Sequence, residues 1–202
     1  DNEIAYDEET GAPIDIGNSE ASPMAVTCRS KISSLLGGEN DFESLMKKAK
    51  NKKVILDASG DLLKEGIKAL PTMIKPNSEE MENLLGISIN NREEVIKSAI
   101  KLYESGIELV VVSLGGDGAL LVCEEGVYHG KPPKIKVVNT VGCGDSMVAA
   151  FSVAMERGYS NTDSLKYAVS ISAANAMTFS TGNFNSKDAD SIFENTIIEK
   201  IY

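Results

Sequence analysis

Hydrophobic and polar positions follow two alternating patterns from Phe42 to the end of the chain. Short apolar runs rich in β-branched residues predict buried strands, and stretches with apolar residues three and four apart predict amphipathic helices. The predicted strands are 53–56, 73–74, 108–114, 119–123 and 135–138. The predicted helices are 42–50, 62–70, 78–85, 92–105, 146–157 and 162–179, and a last helix or strand starts at 188. This alternation predicts an α/β protein with a mainly parallel sheet.

Composition and charge narrow the classes of function. The 202 residues are 42% hydrophobic and carry a net charge of -10. Such a surface repels phosphate backbones, so nucleic acid and anionic membranes are poor partners. The sequence has no apolar stretch near the ~20 residues of a membrane helix and no signal-peptide pattern. Three widely spaced cysteines indicate a cytoplasmic protein without disulfides, and His129, in a loop-like stretch, is interpreted as a surface or packing residue.

The glycine-rich run from Asn139 to Asp145 is the first candidate for chemistry. Gly142 and Gly144 permit a tight turn before a helix, whose positive N-terminal end favours an anion. Asp145 lies in the first helical turn, where a carboxylate can take a proton from a substrate hydroxyl. A glycine turn followed by a helix-capping aspartate is an equally weighted interpretation of this run alone.

A second motif, Lys75-Pro-Asn77-Ser-Glu-Glu80, follows the predicted strand 73–74. Asn77 and Glu80 could organise a hydrated Mg²⁺ near phosphates, and Lys75 could add positive charge. The same spacing is that of a capping box, which is the favoured interpretation of the motif in isolation.

A third motif runs through Ser113, Leu114, Gly115, Gly116, Asp117 and Gly118 after the valine-rich strand. Its backbone could approach a nucleotide closely, although a plain glycine hairpin turn has the same signature. It is neither a Walker A loop nor a dinucleotide fingerprint, because no Gly-Lys-Ser/Thr or Gly-x-Gly-x-x-Gly pattern is present. Three loops that each follow a predicted strand are a more specific signal than any one of them, since ligands of parallel sheets bind at the carboxyl ends of strands.

Together these segments resemble the PfkB (ribokinase-like) family of sugar kinases. The resemblance rests on residues 138–151, 112–120 and 74–81 and extends from about Phe42 to the C-terminus. Within the family, the run after Gly144 and residues 56–60 look most like 1-phosphofructokinases, with tagatose-6-phosphate kinases second. The resemblance implies a three-layer α/β/α fold, truncated at its N-terminus because the first family signature is absent.

The resemblance also implies roles for individual residues. Asp145 is the expected base, and Gly142, Cys143 and Gly144 supply anion-hole amides. Residues 113–118 line the ATP site, and Asn175 matches a position near the adenine. Asn77 and Glu80, supported by Lys75, act near Mg²⁺ and the phosphates, with Glu80 reaching the metal through water. A K⁺ ion near the anion hole is implied as well.

The expected activity is therefore transfer of phosphate from ATP to a sugar phosphate, foremost from ATP to fructose 1-phosphate. Tagatose 6-phosphate or another sugar remains open as substrate, and so does a non-catalytic nucleotide-binding fragment. We expect residues 41–202 to form the ATP-binding and catalytic part and residues 1–40 to be a lid or linker remnant. Family members often pair through a lid, so a homodimer is expected too.

Overall fold

A computed structural model of the chain describes residues 4–6, 13–15, 24–28 and 52–202, the first three ranges only as strands. Strand β1 (Ile4–Tyr6) pairs antiparallel with β2 (Pro13–Asp15), and β3 is Met24–Cys28. The rest of the predicted lid or linker at 1–40, and the predicted helix at 42–50, lie outside the described residues. The chain divides into two compact units, Asp1–Val110 and Val111–Tyr202.

The first unit contains parallel strands with helices between them. After β3 come β4 (Val54–Ala58), helix α1 (Gly60–Gly66), β5 (Met73–Ile74), α2 (Ser78–Leu85), α3 (Arg92–Glu104) and the start of β6 (Leu109–Ser113). The spatial order is β3-β4-β5-β6, and all three pairings are parallel. Strand residues such as Ile55, Met73 and Val110 are fully buried, as expected for a parallel sheet covered by helices.

The second unit contains antiparallel strands and three helices. Its elements are β7 (Ala119–Cys123), β8 (Gly126–Lys131), α4 (Cys143–Glu156), α5 (Asn161–Ala176), α6 (Ser186–Asn195) and β9 (Ile197–Lys200). Strand β8 lies between β7 and β9 and pairs antiparallel with both. Helix α5 packs against α4 and α6, and alanines on α5 allow the close approach. Over the described residues, no helix is long and apolar enough to cross a membrane.

The segment after β8 corrects one predicted strand. Residues 135–138 have no strand pairing, and the prolines at 132 and 133, which lack N–H groups for a ladder, end β8 before them. Ile135 packs instead against the buried cluster between α5 and α6. The N–H groups of Val138 and Asn139 both donate to the carbonyl of Ala176 at the end of α5, at 2.7 and 3.2 Å. The segment therefore places the glycine-rich turn beside the C-terminal end of α5.

Helix starts also differ from the predicted ones. Helix α4 begins at Cys143 rather than at Ser146, and α5 is capped by Ser160 rather than by Thr162. Strand β8 occupies residues that were interpreted as a loop, and it contains His129. The other predicted strands and helices between 52 and 202 are present within a few residues of their predicted ends.

Candidate active site

The glycine-rich turn ends on the first residues of helix α4. Gly142 is the N-cap, with a left-handed φ of 76°, and Asp145 lies in the first turn. Ser146 makes the first intrahelical hydrogen bond, to the carbonyl of Gly142 at 2.8 Å, so the N–H groups of Gly144 and Asp145 precede the helical ladder. The N–H of Cys143 donates to Thr140 at 3.2 Å and is therefore already engaged. The helix end thus has the geometry of an anion site, with a carboxylate on the same turn.

Two polar side chains of α5, the buried Asn175 and the half-buried Ser172, hold this turn in place. Asn175 is 1% exposed, and its Nδ2 donates to the carbonyl of Val141 at 3.1 Å and to Cys143 Sγ at 3.4 Å. Its Oδ1 accepts the N–H of Gly182 at 2.7 Å. One turn earlier, Ser172 Oγ donates to the carbonyl of Cys143 at 2.9 Å. The structure thus brings two predicted site residues, Cys143 and Asn175, into direct contact.

The segment after α5 closes over the turn. Thr181 Oγ1 donates to the carbonyl of Val141 at 3.2 Å, and Asn139 Nδ2 donates to the carbonyl of Phe179 at 3.0 Å. The methyl group of Thr181 fills the position that a Cβ at Gly142 would need. Glycine is required at 142 by both its dihedral angle and its surroundings. Thr181 carries no sequence signal of its own, so sequence reasoning missed it.

The third motif forms a compact turn between β6 and β7. Residues Gly115–Asp117 make one turn of 3₁₀ helix, and Leu114 N–H closes the loop on the Gly118 carbonyl at 2.8 Å. Side chains added at Gly115 or Gly116 would meet nothing within 4 Å, so one face of this loop is open. At Gly118, a Cβ would collide with the backbone of Gly130. The loop therefore combines an exposed backbone face with a tightly packed base, which fits the predicted approach of a nucleotide.

A hydrogen bond from His129, in β8, holds this loop in place. Its ring is 4% exposed, and Nε2 lies 2.7 Å from the carbonyl oxygen of Asp117. A carbonyl only accepts, so Nε2 carries the proton and donates. The packing role predicted for His129 is confirmed, whereas its predicted loop location is wrong. The signal that could have found the strand is the alternation of Val127 and His129 with half-exposed neighbours.

The second motif lies in the first unit, at the carboxyl ends of two strands. Asn77 Oδ1 accepts from the Glu80 N–H at 2.8 Å, and Glu80 Oε2 accepts from the Asn77 N–H at 2.9 Å, which is a complete capping box. Lys75 is 7% exposed and lies 3.3 Å from Asp57 Oδ1 at the end of β4. The capping interpretation of Asn77 and Glu80 is thus confirmed. Asp57 is a further charged group of this site that sequence reasoning did not single out.

The donor atoms suit the implied ions to different degrees. A carboxylate offers about four lone-pair positions, so the single cap bond leaves Glu80 able to hold a water of hydrated Mg²⁺. Within residues 52–202, no group of three acidic, histidine or cysteine side chains forms a direct metal cage. The carbonyl of Val141 already accepts two hydrogen bonds, and that of Ser180 accepts from Thr178 and Asn183. These two carbonyls are therefore already engaged within the protein.

Comparison with known proteins agrees with this architecture. Residues 38–188 match the model of the pfkB family carbohydrate kinases. A 1-phosphofructokinase from Haemophilus influenzae is 39% identical over 150 residues, which are 74% of this chain and 46% of the relative. The chain thus spans about half the length of the curated relative it matches.

Solved structures confirm the ribokinase-like α/β fold. The chain superposes on phosphofructokinase-2 from Escherichia coli in complex with potassium with a TM-score of 0.72 and 29% identity, covering 77% of this chain and 52% of that one. A ribokinase from Thermotoga maritima gives a TM-score of 0.64 and 25% identity, with 76% and 54% covered. With matches in sequence and in structure over three quarters of its length, the chain belongs to the pfkB family of carbohydrate kinases.

Proposed function

We propose that the chain is the ATP-binding and catalytic part of a kinase that converts fructose 1-phosphate and ATP into fructose 1,6-bisphosphate and ADP. The observation that carries the proposal is the left-handed Gly142 turn opening directly into α4, with Asp145 in its first turn. The similarity to a 1-phosphofructokinase supports the choice of sugar. Tagatose 6-phosphate and other sugars are the alternatives within the same chemistry.

In this mechanism Asp145 accepts the proton of the sugar hydroxyl as the hydroxyl oxygen attacks the γ-phosphorus. The bond between that phosphorus and the β–γ bridging oxygen breaks, and ADP leaves. Negative charge on the transferring group is met by the N-terminal end of α4 and its Gly144 amide. Because little covalent chemistry falls to the protein, the rate depends on holding this turn in one geometry.

The nucleotide and the metal use the other two motifs. The open backbone face at Gly115 and Gly116 receives ATP. Glu80, capped against Asn77, holds Mg²⁺ through water, and the ion when bound neutralises phosphate charge. Lys75, paired with Asp57, adds positive charge at the strand ends. A K⁺ ion near the turn belongs to the same proposal, supported by the potassium complex of the similar phosphofructokinase-2 from Escherichia coli.

The test is ADP release over a panel of sugar phosphates, with Asp145→Asn and a matched control. Asp163 also lies in the first helical turn of a helix, α5. Asp163→Asn therefore changes a carboxylate at a helix start that is not part of the glycine-rich run at 139–145. We expect Asp145→Asn to lower kcat about 100-fold or more while Mg·ATP binding persists, the usual size of a lost general base. Asp163→Asn should keep kcat. Near-normal turnover by Asp145→Asn would remove Asp145 as the base.

A non-catalytic nucleotide-binding fragment is the second candidate, because the chain covers only 46% of its 1-phosphofructokinase relative. Separate calorimetric titrations with Mg·ATP and with fructose 1-phosphate distinguish the two. Binding of both together with turnover supports the kinase, whereas binding of Mg·ATP alone supports the fragment.

A homodimer belongs to the same proposal, and sedimentation of the chain at several concentrations tests it.

A further inference from the structure

The amide of Asn175 joins two segments that are far apart in sequence. Its Nδ2 donates to Val141 and Cys143 in the glycine-rich turn, and its Oδ1 accepts from Gly182 beyond α5. The orientation of the amide is fixed by its partners, since a carbonyl can only accept and a backbone N–H can only donate. Asn175 is 1% exposed, so the amide itself is removed from solvent.

The bonds of Asn175 use the atoms that a base contact would need. Adenine is recognised through hydrogen bonds, and both N–H groups of this amide already donate to Val141 and Cys143, while its oxygen accepts from Gly182 and is buried. Ser172, three residues earlier on the same face of α5, binds the carbonyl of Cys143 as well. Ser172 and Asn175, on one face of α5, therefore both hold the turn from Val141 to Cys143.

We propose that Asn175 is a positioning residue that fixes the Val141–Cys143 turn, rather than a residue that recognises the nucleotide base. Asn175 acts through the turn. Its loss should therefore lower the binding free energy that contacts between the turn and the phosphates of the ligand contribute. The effect on ligand binding rests on the proposed function, while the effect on the turn itself does not. Asn175→Ala and Asn175→Asp test both.

The first measurement needs no ligand. The alkylation rate of Cys143 by iodoacetamide and the amide exchange of residues 139–145 report on the turn. We expect Asn175→Ala to raise both about 5- to 30-fold, the factor for losing one or two ordinary hydrogen bonds. Ser170→Ala is the matched control, because Ser170 is equally buried on α5 but bonds to Lys166 and Thr196 instead. Equal rates in the two variants would overturn the proposal.

Asn175→Asp separates the two ends of the amide, and Ser172→Ala, which removes only the bond to the Cys143 carbonyl, tests support of the turn from the same face of α5 where neither Asn175 variant folds. The carboxylate still accepts from the Gly182 N–H but cannot donate to Val141 or Cys143. We expect faster alkylation of Cys143 with continued protection of the Gly182 amide. Wild-type alkylation in Asn175→Asp would show that the Nδ2 bonds do not hold the turn.

The second measurement compares Mg·ATP with Mg·tripolyphosphate, which lacks the base. A positioning role predicts that Asn175→Ala weakens both ligands by the same factor, about 5 to 30. Loss of ATP affinity with unchanged tripolyphosphate affinity would assign Asn175 to the base and overturn the proposal. A wild-type chain that binds neither ligand contradicts the proposed function, and the alkylation rates then decide the role of Asn175 alone.

Discussion

His129 Nε2 donates to the carbonyl of Asp117 across 2.7 Å, and this bond joins the middle of β8 to the glycine-rich loop before β7. The loop itself has few side chains with which to fix its shape. Its C-terminal end is fixed twice from β8, by the close approach of Gly118 to Gly130 and by the bond from His129 to Asp117. Contacts from β8 thus add to the loop's own backbone hydrogen bonds in holding the exposed backbone at Gly115 and Gly116.

Replacing His129 should loosen this loop. His129→Ala leaves the Asp117 carbonyl without its donor and opens space beside it, so we expect a loss of about 1–3 kcal/mol in the free energy of unfolding. Amide exchange at residues 115–118 should rise in the same variant. Urea denaturation and exchange measured on one sample give both values.

The neighbouring Tyr128 provides the control, since its hydroxyl donates to the backbone carbonyl of Glu125 at the surface. Tyr128→Phe should stay within about 0.5 kcal/mol of the wild type, as surface changes usually do. A loss in His129→Ala no larger than in Tyr128→Phe would mean that the bond to Asp117 does not hold the loop.

The sequence predicted most elements here but not the contacts that hold the site. Periodicity located β6 and the start of α2, because burial and capping act on neighbouring residues. The strand at 126–131 was missed because Gly126 and Gly130 carry no side chain and leave only a short alternation around Val127 and His129. The bonds of His129 and Asn175 join residues 12 and up to 34 positions apart, and no local pattern encodes them. The motif resemblance located the glycine-rich turn, whereas the side chains that hold the turn in place are visible only in the tertiary structure.

Gly142 should tolerate no side chain, for two separable reasons. Its φ of 76° costs an L residue about 1–2 kcal/mol, and a Cβ there would collide with the Thr181 methyl group. Overpacking of this kind costs about 1–3 kcal/mol more. We therefore expect Gly142→Ala to destabilise the chain by the sum of both effects, measured by thermal or urea unfolding.

Two variants isolate the collision. Gly158 has a similar φ of 69° but open space around its Cβ position, so Gly158→Ala should show the backbone cost alone. Thr181→Ser removes the methyl group and keeps the hydroxyl that binds Val141. Combined with Gly142→Ala, it should recover the overpacking part. If Gly142→Ala and Gly158→Ala lose the same stability, the collision is relieved by a backbone shift.

The ion pair of Lys75 and Asp57 should contribute more than surface pairs of the same chain. Its side chains are 7% and 16% exposed, with Asp57 near the end of β4 and Lys75 directly after the adjacent strand β5. Removing one partner of a buried pair typically costs about 3–5 kcal/mol, because the other charge stays behind without compensation. We expect Lys75→Met and Asp57→Asn each to lose stability in this range or somewhat below it.

A double-mutant cycle measures the coupling itself. Lys97 and Glu93, at 2.7 Å on α3, are 69% and 67% exposed and supply the comparison. Exposed helix pairs couple by about 0.3–0.5 kcal/mol, whereas the Lys75–Asp57 cycle should exceed about 1 kcal/mol. Equal coupling in both cycles would remove Lys75–Asp57 as an anchor of the predicted phosphate site.

Cys123 makes stability depend on pH in the alkaline range. Burial in β7, followed by its contact with Glu125, raises the pKa of its thiol from 9.0 to about 12. In the unfolded chain the thiol ionises first, so the unfolded state loses a proton that the folded state keeps. The free energy of unfolding is therefore unaffected below about pH 9 and falls as pH rises towards 12, by at most about 1.4 kcal/mol per pH unit.

Cys123→Ala should flatten this alkaline decline, because no thiol remains to ionise. Val122→Ala, at an equally buried neighbouring position, loses a similar amount of packing but keeps the thiol, so its curve should be lower and parallel to that of the wild type. Urea unfolding at intervals from pH 8 to pH 11 gives the slopes. A slope in Cys123→Ala as steep as in Val122→Ala would show that another group causes the decline.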